Sequence, residues 1–254
     1  MSTSGVPVLE MRGLSKNFGG IRAVSDVNLS IRPGDRHGIL GANGAGKTTV
    51  FNLVCGVYPP TSGSVLLAGE DVTTRSIDYR VRKGLGRTFQ ITNLFQEMTV
   101  LENVVLATAM AEAQHNRWFT RVDSLVSPRE KAEKVLQRLR LEKTAYRTVA
   151  EIGYGQQREL EVALALALDP KVLLLDEFTA GLSQVETASM VELVKGLPED
   201  LAVIIIEHDL DVVFGLVDEM TVMNRGQVIC EGSCQDVREN PLVAEVYIGQ
   251  KRVD

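Results

Sequence analysis

His37-Gly38-Ile39-Leu40-Gly41-Ala42-Asn43-Gly44-Ala45-Gly46-Lys47-Thr48-Thr49-Val50-Phe51 is the stretch that decides the fold. Gly41 to Thr48 follows the spacing G-x-x-x-x-G-K-[ST] of a phosphate-binding loop. His37 to Leu40 reads as a short buried strand, and Thr48 to Cys55 as a helix. The motif needs that strand–loop–helix setting. Glycines let successive backbone N–H groups curl around phosphate oxygens, and the helix N-terminus adds partial positive charge. Lys47 is placed to reach the β- and γ-phosphates and Thr48 to ligate Mg²⁺. A glycine-rich turn that merely precedes a lysine is the alternative, and the flanking strand and helix count against it. A purine-nucleoside triphosphate is the first ligand to expect.

The 254 residues suffice for one large domain or two small ones. Apolar residues make up 44% and charged residues 24%, as in an ordinary globular protein. A net charge of -6 lacks the basic excess of a nucleic-acid binder, so no nucleic-acid partner is expected. The longest apolar run, Val162 to Leu168, is too short to span a membrane. Met1 to Gly5 lacks the basic start and apolar stretch of a secretory signal, so a cytosolic location is expected. Cys55, Cys230 and Cys234 show no C-x-x-C spacing, which suits a reducing compartment. His37, His115 and His208 are too scattered to predict a zinc site.

Val8 to Leu14 and Ala23 to Ile31 alternate apolar and polar residues, as half-buried strands do. Pro59 to Gly63 breaks the first helix, and strands follow at Ser64 to Leu67 and Leu85 to Gln90. Helical patterning then runs from about Thr99 to Leu168, with helices at Val100 to Ala113, Pro128 to Leu141 and Gln156 to Leu168. Val172 to Leu175 and Ala202 to Ile206 are solid apolar runs, expected of parallel strands covered on both faces. Gln184 to Leu197 is the helix between them. Strands at Met220 to Asn224 and Gln227 to Glu231 and two short helices close the chain. The pattern predicts an α/β fold with a parallel-sheet core interrupted by a helical insertion.

Hydrolysis needs a second acidic group for Mg²⁺ and a base for water. Val172-Leu173-Leu174-Leu175-Asp176-Glu177 offers both. Asp176 ends the buried strand at the crevice where such sheets bind ligands, and is assigned to Mg²⁺. Glu177, one residue on, is assigned to polarise the attacking water. An acidic helix cap is the plainer reading of that pair. His208 follows the strand Ala202 to Ile206 on the same rim, where it can hydrogen-bond a γ-phosphate or simply cap a helix. Gln90, at the junction with the helical insertion, offers an uncharged Mg²⁺ ligand or water contact.

In this order the motifs resemble those of an ABC-type ATPase, over essentially the whole chain. They are the phosphate loop, Gln90, the helical insertion, Ile152-Gly153-Tyr154-Gly155-Gln156-Gln157-Arg158, Leu173-Leu174-Leu175-Asp176-Glu177 and His208. The resemblance implies a P-loop NTPase (RecA-like) core with an N-terminal antiparallel β subdomain. It implies one ABC ATPase domain over 1-254, with 1-90 and 160-254 forming the nucleotide-binding core and 91-159 a helical subdomain carrying the signature segment. It implies ATP and Mg²⁺ as ligands, with Phe18 stacking on adenine and Asn43, Gly44, Ala45, Gly46, Lys47, Thr48 and Thr49 holding the phosphates. Gly153, Gly155 and Gln156 are then expected to contact ATP bound to an opposite subunit in a head-to-tail dimer. Free N–H groups at the start of the helix at Gln156 suit that contact.

Phe18-Gly19-Gly20, Arg87-Thr88-Phe89-Gln90, the segment Leu94 to Val100, Ile206-Glu207-His208-Asp209 and the tail from Asn240 to Gly249 are similar to ATP-binding subunits of branched-chain amino acid importers. Such a subunit pairs with two permeases and a second ATPase, as a heterodimer or a homodimer. It serves a periplasmic or extracellular solute-binding protein indirectly and lies on the cytoplasmic face of the membrane. Ile91, Leu94, Phe95 and Met98 are expected as core or as permease-docking surface. Trp118 and Phe119, with Arg117 and Arg121, read as a polar loop or a membrane contact. The chain departs from the family pattern at Ile152-Gly153-Tyr154, where Leu-Ser-Gly is usual, at Phe178 for proline, and at Ser183 for an acidic or amide residue. A weaker contact to the opposite site is expected, tolerable in a heterodimer. A lipid or lipopolysaccharide exporter subunit shares every catalytic residue. A soluble ABC ATPase typically has two cassettes or a long coiled coil, and this chain has neither.

Overall fold

A computed structural model of the chain describes residues 6–88, 94–115 and 128–248. The strands are β1 (Leu9–Phe18), β2 (Ile21–Ile31), β3 (Arg36–Gly41), β4 (Ser62–Leu67), β5 (Glu70–Asp71), β6 (Leu85–Arg87), β7 (Val172–Asp176), β8 (Ala202–Ile206), β9 (Glu219–Asn224) and β10 (Gln227–Ser233). The helices are α1 (Lys47–Cys55), α2 (Ile77–Arg82), α3 (Val100–His115), α4 (Pro128–Arg138), α5 (Tyr154–Ala167), α6 (Gln184–Lys195), α7 (Leu210–Phe214), α8 (Cys234–Glu239) and α9 (Pro241–Ile248).

They form two sheets. An antiparallel sheet has the order β2-β1-β4-β5. The second has the order β10-β9-β3-β8-β7-β6, in which every pair is parallel except the β9–β10 hairpin. The expected α/β fold, with a parallel core and an N-terminal antiparallel β unit, is present.

The uniform apolar strands explain why the parallel sheet is central. Every residue of β7 and β8 is buried. Alternation still operates, because it assigns each side chain to one of two cores. Leu173, Leu175, Val203, Ile205, Met220 and Val222 pack with the helical side, including Val104, Leu136, Leu160 and Met190. Val172, Leu174, Ala202, Ile204 and Ile206 face the other way, onto Val50, Phe51 and Val54 of α1 and the inner face of β1 and β2. Each fully buried aliphatic side chain contributes roughly 1.5–3 kcal/mol, so both faces of the sheet are fastened where the strand ends must hold still.

Boundaries differ from expectation in places. β6 ends at Arg87 rather than Gln90; Thr88 lies past the strand although its N–H still donates to Leu174 O at 3.0 Å. α5 begins at Tyr154, two residues before the expected start. β5, α2 and α7 were not anticipated: each has six residues or fewer, too few for a period to show.

His37 is 2% exposed, and its Nε2 lies 2.8 Å from Thr221 Oγ1. Burial pulls its pKa down to about 4, with Asp35 opposing weakly. The folded state therefore prefers neutral imidazole, while the unfolded chain takes up a proton near the ordinary value of 6.5. Stability from this group is complete above that value and is lost as pH falls towards the folded value. The loss amounts to about 3 kcal/mol. Denaturant titrations of wild type and His37→Gln at about pH 7.5 and about pH 4 check this. The wild type should lose about 3 kcal/mol more than the variant; equal losses would assign the acid sensitivity elsewhere.

Candidate functional site

The carboxyl ends of β3, β6, β7, β8 and β9 lie on one rim of the parallel sheet. A cleft of about 410 Å³ opens there, lined by Ile21, Arg22, Ala23, the loop from Asn43 to Thr49, Glu177 and Arg225. The loop geometry depends on Gly46, whose φ of 105° and whose approach to Ala23 O, 2.6 Å from where a Cβ would stand, exclude other residues. Ala45 O accepts from Gly226 N at 2.9 Å, which ties the loop to the β9–β10 turn. α1 starts with neither a side-chain cap nor an acidic residue in its first turn. Its first N–H groups thus face the cleft as donors for an anion.

Lys47 is 8% exposed. Its Nζ donates to Gly41 O at 2.5 Å and Ala42 O at 3.1 Å. Burial lowers its pKa, and Glu177 and Asp176 pull the other way. The ammonium is therefore held against the loop carbonyls of Gly41 and Ala42. Asn43, Gly44 and Thr48 are exposed.

Asp176 ends β7 with its carboxylate fully buried. Oδ2 accepts from Arg87 at 3.0 Å, while Oδ1 is buried without a hydrogen-bond partner. Burial raises its pKa, and Arg87 opposes. An orphaned carboxylate oxygen on the rim that also bears the exposed Thr48 hydroxyl fits a hard, oxygen-seeking cation such as Mg²⁺. Among the described residues no three His, Cys, Asp or Glu side chains form a metal cluster. Gln90, the other expected ligand, lies outside the described residues.

Glu177 adopts a left-handed backbone, φ 47°, which is strained for a residue with a side chain. Three bonds to its main chain hold it there. Its N–H donates to Ile206 O at 2.9 Å, and its carbonyl accepts from Ala180 N at 3.1 Å and from Arg158 at 3.2 Å. The sharp turn swings the carboxylate off the strand and into the cleft lining. His208 is largely exposed, with Nδ1 3.8 Å from both Glu177 Oε1 and Glu207 Oε2.

Phe18 is not in the cleft lining, but it pairs across the hairpin with Ile21, which is. Its ring meets Tyr58 edge-on with centroids 5.4 Å apart, and Lys16 Nζ lies 5.1 Å from its centroid. Gly153, Gly155 and Gln156 stand at the start of α5, away from this cleft. Two of the amides expected to be free there are engaged. Gly153 N–H donates to Gln156 Oε1 at 3.3 Å. The Glu186 carboxylate is held below its usual range by Ser183 first and by the Gly155 N–H as well. Tyr154 Oη donates to Ala180 O at 3.2 Å, tying α5 to the loop after Glu177. Phe178 is buried in the helical-side core, and Ser183 caps α6.

Sequence reasoning named Glu207 and Arg158 only as parts of motifs, with no role of their own, and missed Arg22 and Arg225 in the cleft lining. Glu207 is 1% exposed and accepts from Thr179 N and Oγ1, both at 2.8 Å, bracing the loop after Glu177. Its position beside His208 was a signal, but its partner lies 28 residues away. Arg22 and Arg225 add positive charge to the cleft mouth and carry no motif. Of the apolar group before α3, Leu94 is core and Phe95 is 53% exposed. Ile91, Trp118, Phe119, Arg117 and Arg121 lie outside the described residues, as does the end of the tail at Gly249.

Comparison with known proteins agrees with this geometry. The ABC transporter family profile matches residues 24–180. The high-affinity branched-chain amino acid transport ATP-binding protein LivG of Escherichia coli (strain K12) is 37% identical over 257 aligned positions, covering 96% of this chain and 98% of its own. The crystal structure of the ADP conformation of MJ1267, an ATP-binding cassette of an ABC transporter, superposes with a TM-score of 0.83 at 31% identity, covering 96% of this chain and 99% of that one. A dimeric post-hydrolysis structure of the cassette MJ0796 bound to ADP and Pi superposes at 0.73 with 25% identity, over 89% and 98% of the two chains. With the profile spanning more than half of the chain and the likeness running nearly from end to end, the chain belongs to the ABC transporter family, as one of its ATP-binding cassettes.

Proposed function

We propose that this chain binds ATP with Mg²⁺ and hydrolyses it as the ATP-binding subunit of an importer for branched-chain or related hydrophobic amino acids. The observation that carries the reading is the cleft itself. A glycine-rich loop, a lysine held on its carbonyls and a strained glutamate converge on one rim, in a chain that LivG matches over 96% of its length. The α1 amides and Lys47 bind the phosphates, Phe18 supports the base, and Thr48, Asp176 and Gln90 hold the cation. Mg²⁺, when bound, neutralises charge on the phosphate oxygens. Glu177 orients the attacking water and accepts its proton. His208, on the same rim, hydrogen-bonds the γ-phosphate.

The working unit is a head-to-tail dimer with a second ATPase, in which Gly153, Gly155 and Gln156 face the partner's nucleotide. Closure on ATP and reopening after hydrolysis move two permeases. The described residues 94–115 and 128–159 belong to the arm that meets them. Phe95, Leu106 and Met110 are exposed apolar side chains on it, of the kind that a cytoplasmic permease helix would cover. Among the described residues no helix is long and apolar enough to cross a membrane. With Glu186 on the Gly155 amide and no serine hydroxyl at Gly153, this chain gives the weaker contact across the dimer; equal ATP occlusion at both sites of the assembled transporter would count against that asymmetry.

The test is affinity purification from native membranes in mild detergent, with wild type and Phe95→Asp. Two multi-span permeases and a second ATPase should accompany the wild type. The variant should lose the permeases while still binding ATP. Recovery of the chain alone, or with ribosomal or DNA-associated proteins, would sink the importer reading.

A further inference from the structure

Arg87 closes β6 beside Asp176 at the end of β7. One terminal nitrogen of its guanidinium donates to Asp176 Oδ2 at 3.0 Å and the other to Asn52 Oδ1 at 2.7 Å. Its side chain is 12% exposed, and the Asp176 carboxylate is wholly buried. Asn52 lies four residues after Thr48 on α1, so the two side chains share one face of that helix, a turn apart. The guanidinium also sits 5.9 Å from the Phe51 ring centroid, which narrows its freedom further. One planar fork thus spans the helix that carries Thr48 and the strand that carries Asp176. It engages a single oxygen of Asp176 and leaves Oδ1 without a partner.

We propose that Arg87 is a positioning residue for the divalent cation. By gripping Asn52 and Asp176 Oδ2 together it sets the separation between Thr48 and Asp176, and it keeps Asp176 Oδ1 available to the metal. The inference rests on the Mg²⁺–ATP reading above. An arginine suits this work because its rigid fork serves two acceptors at a fixed angle, which a lysine ammonium cannot do. Groups that orient a metal's direct ligands typically govern affinity by about 10–100-fold. The competing role is a structural ion pair that only closes the sheet. Such a pair affects stability and leaves the response to Mg²⁺ untouched.

The experiment measures binding of a fluorescent ATP analogue to the full chain, first in EDTA and then across a Mg²⁺ titration. Arg87→Lys, Arg87→Gln and Asn52→Ala are compared with wild type. Binding in EDTA should be unchanged, since the phosphate loop is intact in each. The half-saturating Mg²⁺ concentration should rise about 10-fold or more for the Arg87 variants, and in the same direction but less for Asn52→Ala. If the Arg87 variants do not fold, Asn52→Ala carries the test alone, because it loosens the fork and leaves the ion pair in place. Mg²⁺ curves that superimpose on wild type overturn the proposal. So does a loss in EDTA equal to the loss in Mg²⁺. A wild type that binds nucleotide without any response to Mg²⁺ overturns the reading beneath it, and this inference with it.

Discussion

Glu177→Gln, assembled with the partners proposed above, should hydrolyse ATP about 100-fold or more slower than wild type while binding ATP at least as tightly. Glutamine keeps the shape of the side chain and loses the negative charge and, with it, the ability to accept a proton. The strained turn that aims it is held through its own main chain, by backbone bonds with Ile206 and Ala180 and by the Arg158 guanidinium, none of which the substitution touches. The left-handed backbone is equally costly for both residues, so the folded geometry should survive. Removing a negative charge beside the phosphates relieves a repulsion in the bound state, which is why affinity should hold or rise. General-base catalysis by a placed side chain is worth about 100–10,000-fold. Phosphate release and equilibrium ATP binding, measured on the same preparations, separate the two effects. Equal hydrolysis by wild type and variant would remove Glu177 from the chemistry and point to His208 or to water positioned by the phosphates. A parallel collapse of binding would mean that the carboxylate holds the cleft together.

The parts of the site that were legible before the structure share a property. The phosphate loop, Asp176 and Glu177 are readable because their chemistry requires fixed residue types at fixed local spacing. Strands β7 and β8 are readable because a strand covered on both faces is a near-continuous apolar run, here broken only by Asp176 at the end of β7. What was hidden depends on distance along the chain. Arg87 meets Asn52 across 35 residues and Asp176 across 89, and Glu207 meets Thr179 across 28. No local pattern announces such pairs. The start of α5 illustrates a second limit. Glycines at 153 and 155 read as open amides, but Gln156 and Glu186 fold back onto them. A glycine motif shows where the backbone can be approached and not what approaches it. The helical elements around 142 to 151 are short 3-10 turns whose caps, such as Thr148 with Glu151, matter more than any periodicity.

The helix proposed to bind phosphate at its start meets a buried cation at its other end, and Arg80→Met should expose how much that contact stabilises it. Arg80 is 1% exposed. Its guanidinium donates to Leu53 O at 2.7 Å, Val54 O at 2.6 Å, Thr73 O at 2.9 Å and Arg75 O at 3.3 Å. Two of these carbonyls belong to the last turn of α1, which has no basic residue of its own there. Burial lowers the pKa of Arg80, with Cys55 and Asp71 opposing. Its charge is balanced by carbonyl dipoles and the negative end of the helix rather than by a bonded carboxylate. Methionine preserves much of the apolar stem and leaves four carbonyls to be satisfied otherwise. The expected cost is about 3–5 kcal/mol of unfolding free energy. Arg80→Lys should fall between, since a single ammonium reaches fewer of the four acceptors. Gly56, with φ 81° and its missing Cβ only 2.8 Å from Arg80 Nε, marks how closely the guanidinium is seated. Denaturant unfolding of the three proteins provides the comparison. ATP at 100 times its dissociation constant returns about 2.7 kcal/mol to any variant whose cleft still forms. A large loss at zero nucleotide, partly recovered with ATP, is therefore the expected signature. A loss below about 1 kcal/mol would mean that water replaces the guanidinium and that α1 needs no cation at its C-terminus. A large loss that ATP does not recover would mean that the C-terminal cap and the phosphate loop form one cooperative unit, so that nucleotide binding depends on a residue buried at the far end of its helix.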